Sequence, residues 1–187
     1  MRIFITGVSG LLGINAALQL KARHEVSGAY LTHTVGIEGV ETVRLDLSDA
    51  CAVNDALAKF KPQVVLHTAG LTSVDACEMN SAEARRLHVQ VSDHVARASS
   101  AVGAALVHIS TDHLFNGTKP LVAEEEPPSP LNQYARTKFE AEQVVKSFHP
   151  QALVVRTNFY GWGTAVRASF SDWILSALEQ QKSLNMF

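Results

Sequence analysis

The sequence predicts an α/β domain built on a doubly wound parallel sheet, and three observations carry that expectation. Short apolar runs alternate with longer stretches of helical period along the whole chain, the runs are rich in Val, Ile and Leu without clean polar alternation, and a glycine cluster separates the first run from the first helical stretch. Alternation of this kind implies right-handed crossovers and a parallel sheet. Near-continuous apolar strands are what burial on both faces requires. Ligands on such sheets bind at the carboxyl ends of the strands, near the point where strand order reverses. The residues that follow each strand are therefore the ones to read for chemistry.

In chain order, residues 2–6 read as a first strand and 11–22 as a helix, then 25–30 and 42–45 as the second and third strands. A helix over 49–60 ends just before Pro62, a stop signal. Residues 63–67 form the fourth strand, 81–100 a long helix, 104–110 the fifth strand, 131–147 a helix, 152–157 the sixth strand and 170–181 a last helix. The stretch 116–130, with four prolines around Glu124-Glu125-Glu126, reads as a long loop, either functional or a solvated connector.

Composition excludes several function classes. The chain has 187 residues, 47% hydrophobic and 18% charged, with a formal net charge of -2, a globular profile with no basic patch for nucleic acid. No run approaches the roughly 18 apolar residues of a membrane-spanning helix, and no polybasic segment suggests a membrane surface. Met1 leads almost directly into a strand, so a cytoplasmic location is expected. Cys51 and Cys77 lack metal or redox spacing and are expected to be reduced and buried. The eight histidines form no ligand set, since His88 and His94 stand six apart on different helix faces, and no metal site is expected.

The motifs fall at the strand ends. Gly7, Gly10 and Gly13 lie between strand one and helix one, where they would allow a tight turn, close approach to a pyrophosphate and helix–sheet packing. The helix N-terminus there offers unpaired N–H groups to phosphates, which points to a dinucleotide. At the end of strand two stands Tyr30, with neither an acid for the ribose hydroxyls of NAD nor an arginine for the phosphate of NADP; NADP is slightly favoured over NAD, or Tyr30 only packs. After strand three, Asp46 is assigned to the adenine amino group and Ser48 to the helix N-cap, with Asp49 the alternative cap. Ala69 and Gly70 after strand four either let the backbone run along the cofactor or merely turn the chain. Tyr134 and Lys138 stand four apart on a helix, and an ammonium beside a phenol favours the phenolate and would lower its pKa. Thr111, after strand five, could hold a substrate oxygen in line with Tyr134.

Together these residues resemble the extended short-chain dehydrogenase/reductase family, and within it the dTDP-4-dehydrorhamnose reductase branch. The matching stretches are TGVSGLLG (6–13), TAGLTSVDACE (68–78), STDHLFNG (110–117), SPLNQYARTKFEAE (129–142) and RTNFYGW (156–162). The resemblance implies a Rossmann-type fold and NAD(P)H-dependent reduction of the 4-keto group of a nucleotide-linked deoxysugar. It implies Tyr134 as proton donor, Lys138 as the group that lowers its pKa and binds the nicotinamide ribose, and Thr111 as the residue orienting the keto oxygen. Asp112, Asn158 and Phe159 would meet the substrate. The cofactor surface is then Gly7, Gly10, Leu11, Leu12, Gly13, Tyr30, Asp46, Leu47, Ala69 and Gly70, with Tyr134 and Lys138.

Two departures from the branch stand out. His88 occupies a position where many relatives carry Asn, either replacing it in a proton relay or serving structure. The sequence also ends at Asn185-Met186-Phe187, where relatives continue into a small substrate lobe. The expected division is a cofactor-binding domain over 1–160 and the beginning of that lobe over 161–187. Some members bind magnesium at a dimer interface; no acidic cluster here matches it, and a homodimer is left open. The competing functions are an epimerase, a dehydratase (disfavoured because His113, not Glu, follows Asp112) and a non-catalytic cofactor-binding subunit like the regulatory subunit of methionine adenosyltransferase.

Overall fold

The structure is a computed structural model that describes residues 1–163 and 168–184. The expectation that relatives continue past Asn185-Met186-Phe187 falls on residues outside that range. Six strands form one all-parallel sheet: β1 (Arg2–Thr6), β2 (Glu25–Tyr30), β3 (Glu41–Arg44), β4 (Val64–His67), β5 (Ala105–Ile109) and β6 (Leu153–Val155). Their spatial order is β3-β2-β1-β4-β5-β6, the doubly wound Rossmann order, and the direction of winding reverses between β1 and β4.

β1 shows why the sheet holds. Ile3 and Ile5 point to one face and join Val8, Ala17, Val26 and Ile37 beneath helix α1 (Leu11–Leu20). Phe4 points to the other and joins Val53, Leu57, Val65, Val95, Leu106 and Val145 beneath α2 (Ala50–Phe60), α5 (Val91–Ala101) and α6 (Gln133–Phe148). Each such side chain contributes about 1.5–3 kcal/mol by leaving water. The edge strands β3 and β6 are the exceptions, with Glu41, Val43, Arg44 and Leu153 exposed.

The structure refines the expected helix boundaries. α1 stops at Leu20, and α6 begins at Gln133 because Asn132 caps it, accepting the Ala135 N–H at 2.8 Å. Two short helices, α3 (Val74–Met79) and α4 (Ser81–Arg85), precede α5; the expected long helix over 81–100 is broken into α4, a π-helical turn at Arg86–Gln90 and α5. Ser73 caps α3, and Asn80 both ends α3 and caps α4. The cap of α2 is Asp49, not Ser48: Asp49 Oδ1 accepts the N–H groups of Cys51 and Ala52, while both donors of Ser48 go to Asp46. Cys77 is buried as expected but Cys51 is exposed in the first turn of α2. The last helix, α7 (Phe170–Glu179), starts with a reciprocal Ser169–Asp172 capping box. No helix among the described residues is long and apolar enough to cross a membrane.

Candidate active site

A cleft of about 750 Å³ opens across the carboxyl ends of the strands at the reversal between β1 and β4. Its walls include all ten of the expected cofactor residues that precede the catalytic helix: Gly7, Gly10, Leu11, Leu12, Gly13, Tyr30, Asp46, Leu47, Ala69 and Gly70. The glycine turn is shaped by contact. Gly7 has φ +70° and a side chain there would strike the Ala69 backbone; a Cβ on Gly13 would collide with the Gly7 carbonyl and sit 2.8 Å from Val8 Cα. The backbone is thus folded tightly at the start of α1, and the end of β4 is tied to the end of β1 by Thr68, whose hydroxyl donates to the Thr6 carbonyl at 2.6 Å. This cradle fits a pyrophosphate on the helix N-terminus.

Beyond the end of β3, Asp46 lines the cleft with its carboxyl held below the ordinary range, chiefly by the hydrogen bond from the Ser48 hydroxyl. Tyr30 is half-buried beside Thr32 and His33 on the same wall. Reading along the chain finds no arginine here, but the sheet supplies one. Arg44 on β3 is the register partner of Tyr30, and its Nε donates to the Leu31 carbonyl at 3.2 Å.

The catalytic candidates converge beyond the glycine turn. Tyr134 is the second residue of α6, Thr111 follows β5, and the Thr111 hydroxyl stands near enough to Tyr134 to draw its phenol pKa down. Thr111 also caps a single 3₁₀ turn (Asp112–Leu114), accepting the His113 N–H at 3.2 Å, which leaves its hydroxyl hydrogen free for the tyrosine. Burial pushes the Tyr134 phenol up, and Thr111 pulls it the other way. Lys138 is buried, donates to the Ile109 carbonyl at 2.7 Å and is drawn down to about 8 by desolvation. Thr111 is the neighbour that favours the phenolate. Of the expected substrate residues, Phe159 lines the cleft, and Asn158 donates to the Asp112 carboxylate at 2.6 Å, tying the end of β6 to the end of β5.

Two residues gain definition. His88 sits in the π-helical turn, fully buried, with Nδ1 2.8 Å from the Thr137 hydroxyl and Nε2 2.8 Å from the Leu71 carbonyl, which it bonds as a donor. Burial and the Lys138 charge push it down to about 4, so it is a neutral brace between the loop after β4 and α6. His113, used at the sequence level only to weigh a dehydratase, stands on the cleft wall.

The comparisons with known proteins agree with this geometry. The family model described as the RmlD substrate binding domain matches residues 1–187. The chain belongs to that family. A solved structure of a hypothetical dTDP-4-dehydrorhamnose reductase from Sulfolobus tokodaii superposes with TM-score 0.84 at 32% identity, covering 98% of this chain and 64% of that one. The dTDP-4-dehydrorhamnose reductase of Bacillus anthracis, solved in complex with NADP, superposes with TM-score 0.79 at 27% identity, over 98% of this chain and 61% of that one. Methionine adenosyltransferase 2 subunit beta of Mus musculus is 36% identical over 160 residues, 83% of this chain and 46% of that protein. The chain thus spans about half the length of that curated relative.

Proposed function

We propose that this chain carries the cofactor-binding and catalytic part of an NAD(P)H-dependent reductase acting on the 4-keto group of a nucleotide-activated deoxysugar. The observation that carries the reading is the convergence of Thr111 after β5, Tyr134 on α6 packed against the cleft residue His113, and Lys138 buried one helical turn further on. When bound, the nicotinamide supplies a hydride to the keto carbon. Tyr134 donates its phenolic proton to the keto oxygen, and the burial that pushes its pKa up keeps it in the acid form this step needs. Thr111 aligns that oxygen, while Lys138, protonated at neutral pH, offers positive charge to the phenolate left behind. Asp112 and Asn158, joined to each other, and Phe159 face the sugar.

The cofactor is read as NADP in preference to NAD. Arg44 stands beside the Tyr30 wall, and no carboxylate follows β2 to repel a ribose phosphate. Residues 161–187 are assigned as the start of a substrate lobe, and α7 there leaves Phe170, Trp173, Leu175 and Leu178 exposed. The free thiols of Cys51 and Cys77 accord with a cytoplasmic protein.

The test is paired. NADPH and NADH are titrated by fluorescence into the full-length protein, and turnover of a dTDP-4-keto-6-deoxy sugar is then compared between wild type and Tyr134→Phe. Saturable NADPH binding with turnover lowered at least about 10²–10⁴-fold in the variant supports the reading; normal turnover in the variant overturns it. A second reading, a non-catalytic cofactor-binding subunit, is favoured by the 36% identity to methionine adenosyltransferase 2 subunit beta. Cofactor binding without turnover, together with a stable complex with a larger enzyme, would select it.

A further inference from the structure

The ring of Tyr134 is flanked by two imidazoles, both edge-on: His88 at a centroid distance of 5.6 Å and 79°, and His113 at 5.6 Å and 82°. The two are otherwise unlike. His88 is buried with both ring nitrogens engaged. His113 is exposed and lines the cleft, and no group among the described residues bonds its ring nitrogens.

The position of His113 is nevertheless fixed. Its N–H is held by the Thr111 hydroxyl, the next residue, Leu114, is fully buried, and the Leu114 carbonyl accepts the Ser129 N–H at 2.7 Å. The neighbouring Asp112 carboxylate takes the Asn158 amide at 2.6 Å. A rigid turn therefore presents an imidazole, with one donor and one acceptor to spare, to the cleft beside the proposed proton donor. Packing against Tyr134 needs only an aromatic edge, which phenylalanine would supply equally.

We infer that His113 determines substrate specificity by hydrogen-bonding a hydroxyl on the carbon next to the carbonyl that Tyr134 protonates. The inference rests on the carbonyl-reduction reading above. The Tyr134 hydroxyl marks the place of the reacting oxygen, and His113, two residues beyond Thr111, packs its ring edge-on to the Tyr134 ring and lines the cleft beside it. A neutral imidazole offers one donor and one acceptor, the complement of a hydroxyl, whereas a diphosphate calls for a cation or an array of N–H groups such as the glycine turn provides.

The experiment uses full-length protein, NADPH and two nucleotide-linked 4-keto sugars that differ only in a hydroxyl at carbon 3. The wild type is expected to prefer the hydroxylated sugar. His113→Phe should lower kcat/KM for that sugar about tenfold more than for the deoxy sugar, and His113→Gln should recover part of the difference. Equal slowing of both sugars, or no change in either, overturns the inference. If the wild type turns over neither sugar, the carbonyl-reduction reading fails by itself. The inference is then read from the His113 imidazole resonance, assigned by its loss in His113→Phe: a shift with the hydroxylated sugar nucleotide but not the deoxy one supports it, and no shift overturns it.

Discussion

Arg156 grips Glu142 through two nitrogens, Nη2 at 2.8 Å from Oε2 and Nε at 3.1 Å from Oε1, at a site where the Glu142 side chain is only 7% exposed. Glu142 lies one turn beyond Lys138 on α6, and its charge favours the protonated lysine. The pair thus joins the end of β6 to α6 and supports the Lys138 charge at once. Glu142→Ala would leave the Arg156 guanidinium without its partner. A loss of about 3 kcal/mol is expected, the lower end for broken buried pairs because Arg156 keeps some solvent contact. Denaturant unfolding measures it, and NMR titration of the lysine side chain should find Lys138 titrating below its wild-type value.

The glycine turn makes a steric prediction. In Gly13→Ala the new Cβ meets the Gly7 carbonyl and crowds Val8 Cα, both backbone, so the turn must open. The variant should lose about 1–3 kcal/mol of stability and most of its NADPH affinity. Gly36→Ala is the control: nothing lies within 4 Å of a Cβ there, and it should be neutral or slightly stabilising. Thermal unfolding and cofactor titration of the two variants separate a shaped cradle from a merely glycine-rich loop.

Where periodicity and local chemistry carry the information, the sequence is readable. β1, the glycine turn and α1 announce themselves because a buried strand, a glycine-rich turn and a helix follow one another within residues 2–20, and the cleft residues after β1, β3 and β4 come with them. The π-helical turn does not announce itself, because residues 81–100 keep an ordinary helical pattern across it. What accompanies the widening is His88, braced between the Leu71 carbonyl and the Thr137 hydroxyl, partners 17 and 49 residues away. α3 had a signal in its caps, Ser73 and Asn80, but six residues are too few for a period to show. The cap of α2 was misread because Ser48 and Asp49 are both good caps, and only the geometry shows Asp46 consuming both donors of Ser48. Arg44 and His113 lay beyond reach for a common reason: what gives each its place is an alignment between elements, the β2–β3 register for one and the approach of the 3₁₀ turn to α6 for the other.

On the NADP reading, Arg44 is the residue expected to carry the cofactor preference. It is exposed, so its contribution is moderate. Arg44→Ala is expected to weaken NADPH about tenfold, a loss of roughly 1.4 kcal/mol, and to leave NADH unchanged. Parallel fluorescence titrations decide it, and an equal loss for both cofactors would assign Arg44 to the fold through its Leu31 bond instead.

Acid should destabilise the fold through three buried histidines. Desolvation pushes His67 down to about 3, His88 to about 4 and His108 well below its ordinary value, with the Lys138 charge adding to each. Because the unfolded chain binds these protons near pH 6.5 and the folded chain does not, the stability they leave intact above that pH is lost as pH falls toward 4. Lys138 is protonated in both states throughout this window and adds no slope. Each proton contributes about 1.4 kcal/mol per pH unit, so the three together give a slope near 4 kcal/mol per pH unit around pH 5. Urea unfolding at a series of pH values measures it. His108→Leu provides the internal check, since neither ring nitrogen of His108 has a hydrogen-bond partner among the described residues and an apolar side chain of similar bulk sacrifices none of their hydrogen bonds. That variant should match or exceed wild-type stability at pH 7, and its slope near pH 5 should be shallower by about one proton. An unchanged slope would mean that His108 is already protonated in the folded core.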